Sequence, residues 1–177
     1  NTHKGAIFSL GLLAAGIGYL FRRKGFFSAG ELFELCSAAA TPWLEKDFEE
    51  MRCRQPVTHG EKLFAQYGFR GIRGEALDGF PALRCVGLPA LAKANRTQPC
   101  ANSAQLFILL TLMAQVEDTN ILNRAGPSAL NQVQAEAQQF IADFAVIDNH
   151  ALSALAEMNR RFIEQNISPG GCADLLA

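Results

Sequence analysis

A chain of 177 residues, 49% apolar and only 19% charged, can fill one domain with a sizeable core, which argues against a disordered segment. Sixteen Lys and Arg against seventeen Asp and Glu leave a net charge of −1, which argues against a general nucleic-acid-binding surface. The five cysteines (Cys36, Cys53, Cys85, Cys100, Cys172) form no CxxC pair and the three histidines are scattered, so neither a disulfide framework nor a zinc site is indicated; reduced thiols of a cytosolic protein are.

The chain opens NTHKG, three hydrogen-bonding side chains and a lysine set directly against an apolar run, residues 6–21. That run is shorter than the roughly 20 residues a spanning helix needs, carries three glycines, and is followed by Arg22, Arg23 and Lys24 where a secretory signal would have its cleavage site. It reads as a helix apolar all round at the centre of a bundle, with a membrane segment as the alternative. Ser28, with Glu31 three residues on, forms a capping box for AGELFELCSAAA, and Thr41 followed by Pro42 starts a new helix, PWLEKDFEEMR. Thr58 and Glu61 form a second capping box for HGEKLFAQY, closed by Gly68. Gly71, Gly74 and Gly79 then interrupt the chain; helix resumes near Glu75, with Pro81 and Pro89 limiting its regularity.

Residues 93–103 (KANRTQPCANS) read as a polar loop. From Asn102 or Ser103 a strongly apolar helix runs through AQLFILLTLMAQVEDTN, and Pro127 reopens the chain at SALNQVQAEAQQFIADFA. Asp148 caps NHALSALAEMNRRFIEQN, and residues 167–177 (ISPGGCADLLA) form a loop entering a last helix. Helical periodicity dominates and β alternation is nearly absent. The expected fold is all-α, a compact multi-helix bundle with a central apolar helix, and one domain over residues 1–177.

Four loop–helix junctions pair basic or amide donors with an acid. At the opening, Asn1 or Thr2 caps a helix whose unsatisfied N–H groups, with His3 and Lys4, suit an anion such as phosphate; ordinary capping beside a solvated lysine is the alternative. Ser168, Pro169, Gly170 and Gly171 make a turn without bulky Cβ atoms that a ligand can approach, and Asp174 is placed to hold a metal or to meet the helix dipole. Asp118, Asn120 and Arg124 stand at the end of a buried helix, Asn120 and Arg124 sharing a face at i and i+4. Asp118 lies about 120° from Arg124 around the axis, so it needs another partner, whether cation, donor or water; a surface helix end is the alternative. Arg70 and Arg73 set two guanidinium groups among glycines, with Glu75 and Asp78 as metal ligands or first-turn acids. Such pairings are what a magnesium–polyphosphate site requires.

The blocks NTHKGAIFSLGLL, YGFRGIRGEALDGFP, DTNILNRAG and SPGGCADLLA, in this order and spanning the chain, resemble the signature blocks of the triphosphoribosyl-dephospho-coenzyme A synthase family. The resemblance implies the C-terminal part of a larger synthase domain. It also implies a cytoplasmic transferase that takes ATP, with Mg2+, and 3′-dephospho-coenzyme A, forms 2′-(5″-triphosphoribosyl)-3′-dephospho-coenzyme A and releases adenine. The product would pass to the carrier-protein pathway of citrate lyase or malonate decarboxylase; nucleic acid and membrane are not expected partners, and a homodimer is compatible. Mapped onto this chain, Asp118 and Glu75 are the expected catalytic or magnesium-binding carboxylates, with Asp174 a further metal ligand. Asn1, His3, Lys4, Arg70, Arg73, Asn120, Arg124, Ser168, Gly170 and Gly171 are the expected substrate and phosphate contacts. The competing reading is a non-enzymatic helical interaction module in which these residues are caps and surface charges.

Overall fold

The computed structural model describes residues 4–177, with side chains from residue 5 onward. Every regular element among the described residues is helical. The sequence suggested one domain; the helices group into two compact units, Asn1–Arg84 and Cys85–Ala177.

The first unit contains α1 (Lys4–Lys24), α2 (Ala29–Cys53), α3 (His59–Tyr67) and α4 (Gly71–Leu77). Both predicted capping boxes form: Ser28 and Glu31 start α2, Thr58 and Glu61 start α3, and Gly68 ends α3 at φ 77° with its N–H on the Phe64 carbonyl. The helix break expected at Thr41-Pro42 does not occur. Proline at position 42 removes one backbone donor, but Cys36, Ala40, Leu44 and Phe48 form a buried stripe at four-residue spacing that rewards an unbroken helix, and the Thr41 hydroxyl donates back to the Ser37 carbonyl at 2.8 Å rather than capping a new one. Cys36, Ala40 and Leu44 of that stripe enter a core with Leu20, Leu32, Phe33, Ala76 and Phe80.

The helix expected to be buried all round is not. α1 turns Ala6, Ser9, Gly16 and Leu20 inward and leaves Ile7, Leu10, Ile17 and Phe21 exposed. Within its apolar window only 22% is buried, and by length and composition it is the one helix among the described residues able to cross a membrane.

A π-helical turn, Ala82–Gly87, leads on to α5 (Leu88–Thr97), α6 (Ala101–Gln115), α7 (Thr119–Asp143), α8 (Asn149–Glu164) and α9 (Gly170–Leu176). Here α6 takes the buried place, with Phe107, Ile108, Leu110, Leu112 and Met113 in the core and α5, α7 and α9 packed against it. The expected loop over residues 93–103 shrinks to Gln98–Cys100, because Ala90 and Ala94 bury one face of α5 and carry the helix through Thr97. The Gln98 side chain then fastens the segment after α7, accepting from Ile147 N at 2.9 Å and donating to the Ala145 carbonyl at 3.0 Å. Within α7, Gly126 at φ 81° and ψ 179° breaks the helix just before Pro127, where the sequence indicated a restart.

Candidate functional site

The apolar helix α6 stops at Gln115, short of the end expected from its hydropathy, so Asp118 lies outside it and caps the next one. Its Oδ1 accepts from the backbone of Asn120 at 2.8 Å and Ile121 at 3.2 Å, the ordinary work of an aspartate N-cap. Its Oδ2 reaches across the unit and accepts the Cys172 backbone N–H at 2.8 Å. With 1% of its surface exposed, the carboxylate is buried and answered by three donors, which is how a buried acid becomes tolerable.

This arrangement explains the two glycines. A Cβ on Gly171 would stand 3.0 Å from Asp118 Cγ and Oδ1, and one on Gly170 would stand 2.8 Å from Asn120 Nδ2. The close approach that the sequence suggested for a ligand is made by Asp118 and Asn120 themselves. Two blocks separated by 54 residues are thereby joined into one junction. Cys172, next to the contact, is 1% exposed; burial first, and then the Asp118 charge, push its thiol far above the ordinary range, so it is an inert neutral group.

Around this junction Asn120, Ser168, Gly170 and Asp174 are half-buried. Asp174 has an interaction partner of its own. Arg124, one helical turn beyond Asn120, is exposed and forms no ion pair among the described residues, so its fork is available to an anion.

In the first unit the expected phosphate contacts already hold carboxylates. Arg70 pairs with Asp78 through both terminal nitrogens. Arg73 Nε lies 2.9 Å from Asp47, and its Nη1 contacts Met51 Sδ at 3.5 Å. A phosphate at either arginine exchanges one anionic partner for another. Glu75 Oε2 accepts from Ala82 N at 2.9 Å, and its carbonyl accepts from Phe80 N at 2.6 Å, bracing a turn in which buried Phe80 adopts φ 54°. Asn1, His3 and the side chain of Lys4 lie outside the described residues.

Among the described residues, no group of three or more His, Cys, Asp or Glu side chains is placed to hold a metal ion. Asp118 has both oxygens on backbone donors. The described side chains therefore do not make a metal site held by the protein alone.

The sequence model of the family described as ATP:dephospho-CoA triphosphoribosyl transferase matches residues 1–177. A probable 2-(5''-triphosphoribosyl)-3'-dephosphocoenzyme-A synthase of Malonomonas rubra is 34% identical over 179 residues, covering 100% of this chain and 57% of that protein. The 2-(5''-triphosphoribosyl)-3'-dephosphocoenzyme-A synthase of Klebsiella pneumoniae is 38% identical over 182 residues, with 100% and 58% covered. Protein CitXG of Haemophilus influenzae is 38% identical over 184 residues, with 100% and 39% covered. The chain thus spans well under two thirds of the length of each of these relatives. No solved structure matches it.

Proposed function

The chain belongs to the ATP:dephospho-CoA triphosphoribosyl transferase family, and on that premise we propose that it carries part of the site that joins ATP to 3′-dephospho-coenzyme A. The 2′-hydroxyl oxygen of the acceptor attacks C1″ of the ATP ribose, the C1″–N9 bond breaks, and its electron pair leaves with adenine. The hydroxyl proton ends on the departing base, and the triphosphate stays intact. Two needs follow: cationic donors that grip the triphosphate, and groups that manage one proton while positive charge develops at C1″.

The observation that best supports this reading is the junction at Asp118, where DTN and PGG, two of the blocks that carry the family resemblance, close on each other. In this scheme Asp118 is a positioning residue that fixes Asn120 and the Gly170–Gly171 turn, and Asn120, Arg124 and Ser168 face the ribose and phosphates. Arg70, Arg73 and Lys4 supply further cations, Asn1 and His3 orient the substrate, and Glu75 is the proposed relay that takes the hydroxyl proton and gives it up to the departing base. The triphosphate enters as its magnesium salt. The reading places the protein in the cytoplasm, with its product consumed by transfer to a carrier protein of citrate lyase or malonate decarboxylase.

The test is to incubate the protein with ATP, magnesium and 3′-dephospho-coenzyme A and follow free base by chromatography. Adenine should appear in step with a triphosphoribosylated product. Release of phosphate or pyrophosphate in its place refutes the reaction. A helical interaction module predicts, in addition, no rise in melting temperature with ATP, since only a ligand that binds the folded state stabilises it.

A further inference from the structure

The second unit contains a cleft of about 490 Å³ formed by the start of α5, the second half of α6 and the second segment of α7. That volume lies within the range of small-molecule sites, about 300–1,000 Å³. Its lining has two chemistries. Val86, Pro89, Phe107 and Ile141 are apolar, while Gln115 and Gln138 bring side-chain amides. The lone cation is Lys93, whose ammonium sits 5.2 Å from the centre of the Phe107 ring and which forms no ion pair among the described residues. A cation–π contact leaves its positive charge unneutralised.

These features select among the parts of the two proposed substrates. One lysine is too little for a triphosphate, which binds where several cations and backbone donors gather. Phe107 is only 2% exposed, so it offers no open ring face on which a purine can stack. An apolar trench with two amides and one cation instead matches an extended chain of methyl and methylene groups, interrupted by amides and ending in a phosphate. Resting on the function proposed above, we propose that this cleft takes the pantetheine arm of the acceptor dephospho-coenzyme A. Gln115 and Gln138 pair with the two amides of the arm, and Lys93 meets the phosphate at its end.

The inference is tested by calorimetric titration of the full chain with dephospho-coenzyme A, 4′-phosphopantetheine, pantetheine, ADP and ATP. Ala114, which also lines the cleft, is replaced by leucine to fill it, and Lys93→Gln serves as a surface variant that leaves the core untouched. Ala114→Leu should weaken dephospho-coenzyme A and 4′-phosphopantetheine by about tenfold or more, the scale of one misfitted apolar group, and leave ADP and ATP unchanged. Lys93→Gln should weaken 4′-phosphopantetheine and leave unphosphorylated pantetheine as it was; it decides the matter alone if Ala114→Leu fails to fold. Equal weakening of ADP would put the nucleotide in the cleft and overturn the proposal. So would a change in self-association on filling it, which would mark a contact between copies. Unchanged binding of dephospho-coenzyme A by both variants, with adenine release intact, sinks the cleft alone. No binding of dephospho-coenzyme A by the unaltered protein sinks the cleft and the transferase reading together.

Discussion

Asp118→Asn isolates the junction with almost no change in shape. In the present geometry one carboxylate oxygen serves Asn120 and Ile121 and the other serves Cys172. An asparagine has a single acceptor. If its oxygen keeps the cap, its NH2 group faces the Cys172 N–H; if it turns over, the NH2 faces Asn120 and Ile121. Either way at least one buried donor loses its partner, at about 1–3 kcal/mol, and the surviving bonds lose the strength that charge gave them. A total of about 2–4 kcal/mol corresponds, for a chain of this size, to a melting temperature lower by roughly 5–15 °C. Urea unfolding followed by circular dichroism measures the loss, and amide hydrogen exchange at Cys172 localises it. A variant within about 0.5 kcal/mol of the parent, the range of ordinary surface changes, with the Cys172 amide still protected, would refute the reasoning. Full stability combined with abolished adenine release would instead return Asp118 to a direct chemical role.

The neighbouring glycines should separate by what they strike. Gly171→Ala drives a methyl group into an aspartate held from three sides and should destabilise by about 1–3 kcal/mol in urea unfolding, whereas Gly170→Ala meets the movable Asn120 amide and should be milder. Gly126→Ala has open space around its new methyl group, yet its φ of 81° and ψ of 179° suit glycine alone; a loss of about 1–3 kcal/mol in the same assay is expected from backbone strain. Glu31 is held at about 2, from an ordinary value of 4.5, first by its hydrogen bond to Lys24 and then by Ser28. A depressed acid contributes stability above its unfolded value and loses it as pH falls through the folded one. The urea midpoint should therefore drop between pH 4.5 and 2, and Glu31→Gln should flatten that segment of the profile.

Capping boxes were legible in the sequence because they close within four residues, side chain to backbone, and need nothing from the rest of the fold. Pro42 misled for the opposite reason: its local preference to start a helix yields to a stripe of buried side chains on both sides of it. The DTN and PGG blocks could each be picked out by composition, but their union could not, since it is a bond from a side chain to a main-chain N–H 54 residues away. The aspartate–threonine pair did carry a signal, the preference of Asp for N-caps, which an over-long reading of α6 concealed. The partners of Arg70 and Arg73 depend on tertiary placement, Asp47 and Asp78 lying on the chain like any other surface acids. Hydropathy likewise marked α1 as apolar without saying how many neighbours it would meet.

The long-range bond to Cys172 has a bearing on how this molecule is born. During translation Asp118 emerges 54 residues before the amide that completes its buried socket. A helix as short as α9, seven residues, has no lasting form in water until it docks. Until the Cys172 amide has been made and α9 has docked, the Asp118 carboxylate lacks one of its three donors and has to draw on water in its place.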